Sequence, residues 1–260
     1  MLFYFTATGN SLYVAKRLDP RCISIAQAIH DDPQPYQDAQ IGIVCPVHAQ
    51  HIPELVSTFL HDAHFDTPYF YMILTYGSHY GKAPQQALEL ALHLGIDSAY
   101  INAVMMTDSF LPAADIEKEM AADKHISAQI DAIRTDLNAR RRFILPPDAQ
   151  DEPERCIQPD AKRTMFVISE DCIGCGICRK ICPMDRFTIQ AQKSQYDPKG
   201  CIACMACIHA CPMNAIQLTI PEKNRNARYR NAHITLCELI EANDQHPYKK
   251  DMHDEEEEKR

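Results

Sequence analysis

Two four-cysteine runs near the C-terminal end constrain this chain more than any other feature. Cys172, Cys175, Cys178 and Cys182 follow the spacing C-x-x-C-x-x-C-x-x-x-C, and Pro183 comes next. Cys201, Cys204, Cys207 and Cys211 repeat the spacing, and Pro212 comes next. Three thiols at x-x intervals fit a tight loop around one face of a polynuclear centre. The fourth thiol of each run cannot reach back to that centre and belongs to the other one. The expected ligand sets are Cys172, Cys175, Cys178 and Cys211 for one 4Fe-4S cluster, and Cys201, Cys204, Cys207 and Cys182 for a second. Gly174 and Gly176 let the first loop bend closely around its sulfurs. Ala203 and Met205 stand at those places in the second loop, so the two cluster environments are expected to differ. Pro183 and Pro212 stop the short helices beside the fourth cysteines.

Other uses of cysteine fit poorly. A structural zinc site needs only paired C-x-x-C units. A disulfide scaffold needs an oxidising compartment and usually a short secreted chain. The remaining cysteines, Cys22, Cys45, Cys156 and Cys237, are scattered and read as reduced structural thiols.

With 260 residues the chain is long enough for two domains, and 46% hydrophobic residues can build a core. No apolar run approaches the roughly 20 residues of a membrane span. The start, Met1-Leu2-Phe3-Tyr4-Phe5, lacks the basic opening of a signal peptide, so a cytoplasmic location is expected. The net charge of −9 argues against nucleic acid as a partner. The acidic run from Asp251 to Glu258 reads as a solvated end.

The first half alternates between apolar strands and helices. Strands are expected at Met1–Phe5, Cys22–Ala26, Ile41–Cys45, Tyr69–Leu74 and 98–106. Helices are expected at 10–18, 53–61 and 82–94. Continuous apolar strands separated by helices imply a parallel sheet covered on both faces, α/β and doubly wound, with strand order 2-1-3-4-5. An apolar stripe through Ile116, Met120, Ile126, Ile130, Ile133 and Leu137 predicts one long helix over 113–142, interrupted at Asp123 and packed on the sheet. The segment 143–165, rich in Pro and charge, reads as a linker. The expected division is thus 1–142, linker 143–165, a small α+β cluster domain at 166–220, and an extension at 221–260. No role is assigned after about residue 240.

Three loops should share one edge of that sheet. The first strand runs into Thr6-Ala7-Thr8-Gly9-Asn10-Ser11, followed directly by a helix. Backbone N–H groups at a helix start, together with the helix dipole, favour a phosphate. The hydroxyls of Thr6, Thr8 and Ser11 add donors. The loop has no lysine, unlike a nucleoside-triphosphate loop, and lacks the glycines of a dinucleotide fingerprint. A neutral hydroxyl cradle suits a phosphate monoester such as that of FMN. The third strand leads into Pro46-Val47-His48-Ala49, and the fourth into Thr75-Tyr76-Gly77-Ser78. Tyr76 offers a ring face beside a flavin, with Gly77 allowing close backbone approach. His48 is the candidate for the opposite side, against the reading of His48 and His51 as ordinary surface histidines. His209, between Cys207 and Cys211, reads as a helix-surface residue.

Taken together, these motifs resemble those of the EFR-type ferrodoxins, in which a flavodoxin-like domain is fused to a two-cluster ferredoxin domain. The resemblance spans most of 1–240. It rests on the T-x-T-G-N-S loop, Thr75-Tyr76-Gly77, the paired cysteine runs and Arg228-Tyr229-Arg230-Asn231-Ala232-His233. It implies a flavodoxin-like fold, FMN in the first domain, two 4Fe-4S clusters in the second, electron transfer between them and an anaerobic setting. The leading expectation is an electron-transfer flavo-iron–sulfur protein serving external redox partners. The alternatives are an FMN-dependent reductase of a small molecule or quinone, and a ferredoxin whose first domain only docks it onto a partner.

Overall fold

The computed structural model describes residues 1–31, 35–148 and 165–246. Cys156, most of the 143–165 linker and the acidic run from Asp251 lie outside the described residues.

The first part of the chain contains β1 (Leu2–Tyr4), α1 (Asn10–Leu18), β2 (Ile23–Ser24), α2 (Ile25–Ala28), β3 (Tyr36–Gln37), β4 (Ile41–Pro46) and α3 (Glu54–Asp62). It continues through β5 (Phe65–Asp66), β6 (Phe70–Tyr76), α4 (Ala83–His93), β7 (Ser98–Met105), α5 (Ile116–Ala121), α6 (Ile126–Asn138) and β8 (Phe143–Ile144). Six strands form the main sheet in the order β2-β1-β4-β6-β7-β8, every neighbour parallel. The short β3 and β5 pair only with each other.

Alternate residues supply two cores, as a sheet covered on both faces requires. Leu2 and Tyr4 pack on one side with α1 and α6. Phe3 and Phe5 pack on the other with α2, α3 and α4. The second strand is shorter than expected, because Ile25 and Ala26 already belong to α2.

The expected long helix over 113–142 is two helices. The Asp123 carboxylate accepts the N–H of His125 at 2.8 Å, and His125 takes the left-handed backbone at φ 49°. That local side-chain bond competes with helix continuation and breaks the rod. The apolar stripe is split accordingly. Ile130, Ile133 and Leu137 enter the sheet core, Ile116 enters the core of the cysteine-rich part, and Met120 is exposed.

The cysteine-rich part contains β9 (Phe166–Ile168), α7 (Ile177–Lys180), β10 (Phe187–Gln190), β11 (Lys193–Tyr196), α8 (Ala206–Ala210) and β12 (Ile216–Leu218). The strands form two antiparallel pairs, β10 with β11 and β12 with β9. A final helix, α9 (Leu236–Asn243), begins with a capping box between Thr235 and Glu238. It returns to the first part: Leu239 and Ala242 join the core beside α1, together with Ile181 and Ala206 from the cysteine-rich part. Cys22, Cys45 and Cys237 are unbonded thiols, and only Cys45 is buried.

Candidate cluster and cofactor sites

The two cysteine runs exchange their fourth members. One cavity is lined by Cys172, Cys175 and Cys178 together with Cys211. A second is lined by Cys201, Cys204 and Cys207 together with Cys182. Turns after the fourth cysteines produce the crossing. Asp185 and Asn214 occupy matching positions three residues on, with φ of 51° and 50°. In each turn the next backbone N–H points back at sulfur: Arg186 N–H to Cys182 Sγ, and Ala215 N–H to Cys211 Sγ, both 3.3 Å. Ser194 supplies two more contacts, its N–H to Cys172 Sγ at 3.4 Å and its hydroxyl with Cys178 Sγ at 3.1 Å.

The donor set fits an iron–sulfur centre. Burial pushes the Cys182 thiol up to about 11 and raises Cys204 and Cys207 further, with the neighbouring thiols adding to the rise. Thiolates there need compensating cations, which iron supplies, and N–H donors aimed at sulfur are a recognised means of tuning such centres.

Beside the inner cysteine set lies a cleft of about 1020 Å³, large enough for a cofactor. Its walls are the loops at the C-terminal ends of β1, β4, β6 and β7, and they include Thr6, Ala7, Thr8, Asn10, Ser11, Pro46, Val47, His48, Ala49, Thr75, Tyr76, Gly77 and Ser78. Of the residues expected from sequence, Gly9 alone is not on the wall. The opposite wall is Gly200, Cys201, Ile202, Ala203, Cys204 and Met205, the second cysteine loop itself.

Thr6, Thr8 and Ser11 are buried. The Thr6 hydroxyl accepts the Gly9 N–H at 3.2 Å, and the Ser11 hydroxyl bonds that of Thr75 at 2.8 Å. This ties the first loop to the end of β6. The early amides of α1 have no partner within the helix, so a neutral phosphate cradle is consistent with this loop. Tyr76 stands edge-on to Tyr80, with ring centroids 5.1 Å apart. A flat wall is therefore available although the chain has no tryptophan.

The structure adds detail to three of the readings and overturns the last of them. A Cβ on Gly77 would lie 2.6 Å from Asp108 Cα, so this glycine makes room for the loop after β7. His48 is no ordinary surface histidine. Its Nδ1 is buried with no hydrogen-bond partner, its ring packs edge-on to Phe5, and burial lowers its pKa to about 4. His209 is buried, not on a helix surface. Its Nδ1 accepts the Tyr229 N–H at 3.1 Å, so Nε2 carries the proton and donates to Ser109 O at 2.9 Å.

Sequence reasoning also missed Thr107, Asp108, Ser109 and Phe110 on the cleft wall. They follow the last long parallel strand, and the rule that picked the other three loops applies equally to them.

Residues 164–230 match the family model of the 4Fe-4S dicluster domain. An iron–sulfur domain of the 4Fe-4S type is therefore indicated in the C-terminal part of the chain. No curated protein matches the chain. Among solved structures, one from Bacteroides uniformis, provisionally described as a flavoprotein, aligns with 16% identity and a TM-score of 0.32, over 46% of this chain and 94% of its own. No helix among the described residues is long and apolar enough to cross a membrane.

Proposed function

We propose that the chain is an EFR-type electron-transfer flavo-iron–sulfur protein, cytoplasmic and anaerobic, which passes electrons to or from external redox proteins. One observation carries the reading: the loop that presents Cys201 and Cys204 is also a wall of the cleft formed by the sheet-end loops. A cofactor in that cleft would lie against the ligands of one cluster. FMN is the proposed occupant, held by the hydroxyl loop at Thr6–Ser11, with Tyr76 and the neutral His48 facing its ring region. When bound, the clusters supply one-electron steps and the flavin supplies one- and two-electron steps.

The chain's own residues arrange these sites in sequence. The inner cysteine set adjoins the cleft. The outer set lies beyond it and reaches solvent at Cys175 and Ile173, both exposed. Cys182 and Cys211 each link one loop to the opposite set, so the two sets are held at a fixed spacing. An external redox protein would approach the outer set.

Purification without oxygen, followed by iron, sulfide and flavin analysis, tests this directly. About eight irons per chain with equimolar FMN is the expected result. The same iron content without flavin, even after reconstitution, would leave a ferredoxin with an empty docking domain and overturn the reading.

A further inference from the structure

The motif Arg228–His233 and the segment after it lie outside the cleft, yet they hold the loop that forms its phosphate end. The Asn231 N–H donates to Thr8 O at 2.9 Å. The Asn231 side-chain amide donates to Asn10 Oδ1 at 3.1 Å, and the Tyr229 hydroxyl donates to the same oxygen at 2.7 Å. Farther along, the Asn243 amide donates to Thr6 O at 3.1 Å. Asn231 and Asn243 are 5% and 0% exposed.

These contacts fix orientation as well as position. Two donors converge on Asn10 Oδ1, so its amide nitrogen must point the other way, where it donates to Thr107 O at 3.0 Å. Two carbonyls of the loop, those of Thr6 and Thr8, are engaged from outside. In a trans peptide the N–H lies opposite the carbonyl, so anchoring Thr6 O outward turns the Ala7 N–H inward, and anchoring Thr8 O aims the Gly9 N–H at the Thr6 hydroxyl that accepts it. Gly9 records how close the support is. A Cβ there would lie 3.0 Å from Asn231 Cβ and 3.1 Å from Ile234 Cβ. Gly9 is also at φ 98°, a conformation glycine adopts freely. This explains why Gly9, inside the loop, is absent from the cleft wall.

We infer that residues 229–243 are a brace that holds the Thr6–Ser11 loop in its anion-binding shape, with Asn231 as the principal positioning residue. The inference rests on the flavin reading above. The ligand feature it serves is a phosphate monoester, the feature that separates FMN from riboflavin. The brace also joins the two halves of the chain, since the Tyr229 N–H is held by His209 on the α8 helix of the cluster domain.

The test compares Asn231→Ala and Tyr229→Phe with the parent protein, all carrying their clusters, by fluorescence titration with FMN and with riboflavin. Removing one anchoring hydrogen bond should weaken FMN binding about tenfold in Asn231→Ala and about threefold in Tyr229→Phe. Riboflavin binding should move less than about twofold, because it has no phosphate for the loop to hold. Hydrogen exchange at residues 7–11, measured with no flavin added, should be faster in Asn231→Ala. Equal losses for FMN and riboflavin, or no loss for either, would overturn the brace. A parent protein that binds neither flavin would sink the flavin reading, and the exchange measurement would then decide the brace alone. Unchanged exchange in Asn231→Ala would overturn it.

Discussion

In the first cysteine loop the left-handed positions are Gly174 and Gly176, at φ 66° and 78°. In the second loop the same positions hold Ala203 and Met205, at φ 54° and 63°. The backbone is repeated although the residues are not. Wrapping three thiols around one centre sets the turn, and what lies outside the turn sets the side chains. Outside the first loop Ile173 is 59% exposed. Outside the second, Met205 and Ala206 are buried, Met205 in the cluster-domain core and Ala206 beside α1. The second loop accepts left-handed non-glycine residues, at about 1 to 2 kcal/mol each, where their side chains pack in a core that also takes Leu111 and Ile116 from the first part. The first uses glycine at both places: at Gly174 the Gln192 backbone leaves no room for a side chain, and at Gly176 there is nothing for one to pack on.

The largest test of this contrast exchanges one thiol in each loop. Cys175→Ser and Cys207→Ser should each remove about half of the iron. Cys175 is exposed, and its loss should leave the melting temperature of the remaining fold nearly unchanged. Cys207 is buried on α8, between Ala206 in the sheet core and His209 bonded to Ser109. Its replacement leaves a hydroxyl in that packing, costing about 1 to 3 kcal/mol, and should also loosen the cleft wall. Iron analysis with thermal melts checks both, and equal melting shifts would break the contrast.

The next test lies within the first loop. A Cβ on Gly174 would meet the Gln192 carbonyl oxygen at 2.5 Å, whereas one on Gly176 has nothing within 4 Å. Gly174→Ala adds a backbone clash to a disfavoured φ and should cost about 3 kcal/mol or more. Gly176→Ala carries only the conformational term, about 1 kcal/mol. Anaerobic melting should rank them in that order; a reversed order would mean that the β10–β11 turn at Gln192 yields easily.

Much of this arrangement was legible in the chain. Ile41–Cys45 and Tyr69–Leu74 are unbroken apolar runs, and such runs have few places to go except the middle of a parallel sheet. The cysteine spacing carries its own geometry. Legibility failed where burial is polar. Residues 228–246 include Asn231, Asn243 and Gln245, all buried by hydrogen bonding to the first part of the chain. No hydrophobic period marks these polar positions, so their burial does not show in the sequence, and no role is assigned there after about residue 240. His209 was hidden for the same reason. The interruption at Asp123 was legible, but not that it separates two helices, because the apolar stripe resumes beyond it although its two halves serve different cores.

The smallest test has the opposite sign and lies in the second loop. Ala203 holds φ 54° with only a methyl group to place. Ala203→Gly removes the left-handed penalty, while glycine's extra freedom in the unfolded chain takes back part of the gain. The net change should be a stabilisation of about 0.5 to 1 kcal/mol, seen as a small rise in the anaerobic melting temperature. Met205 shares the backbone at φ 63°, yet its side chain is 6% exposed and packed in the cluster-domain core. Met205→Gly should therefore destabilise by about 2 kcal/mol or more, since emptying a buried methionine outweighs the conformational relief. If both substitutions stabilise, Met205 contributes little packing, and the second loop is strained without being tied to the rest of the fold. If both destabilise, the methyl of Ala203 contributes packing at the cleft wall it lines, and the contrast between the loops extends to the smallest side chain there.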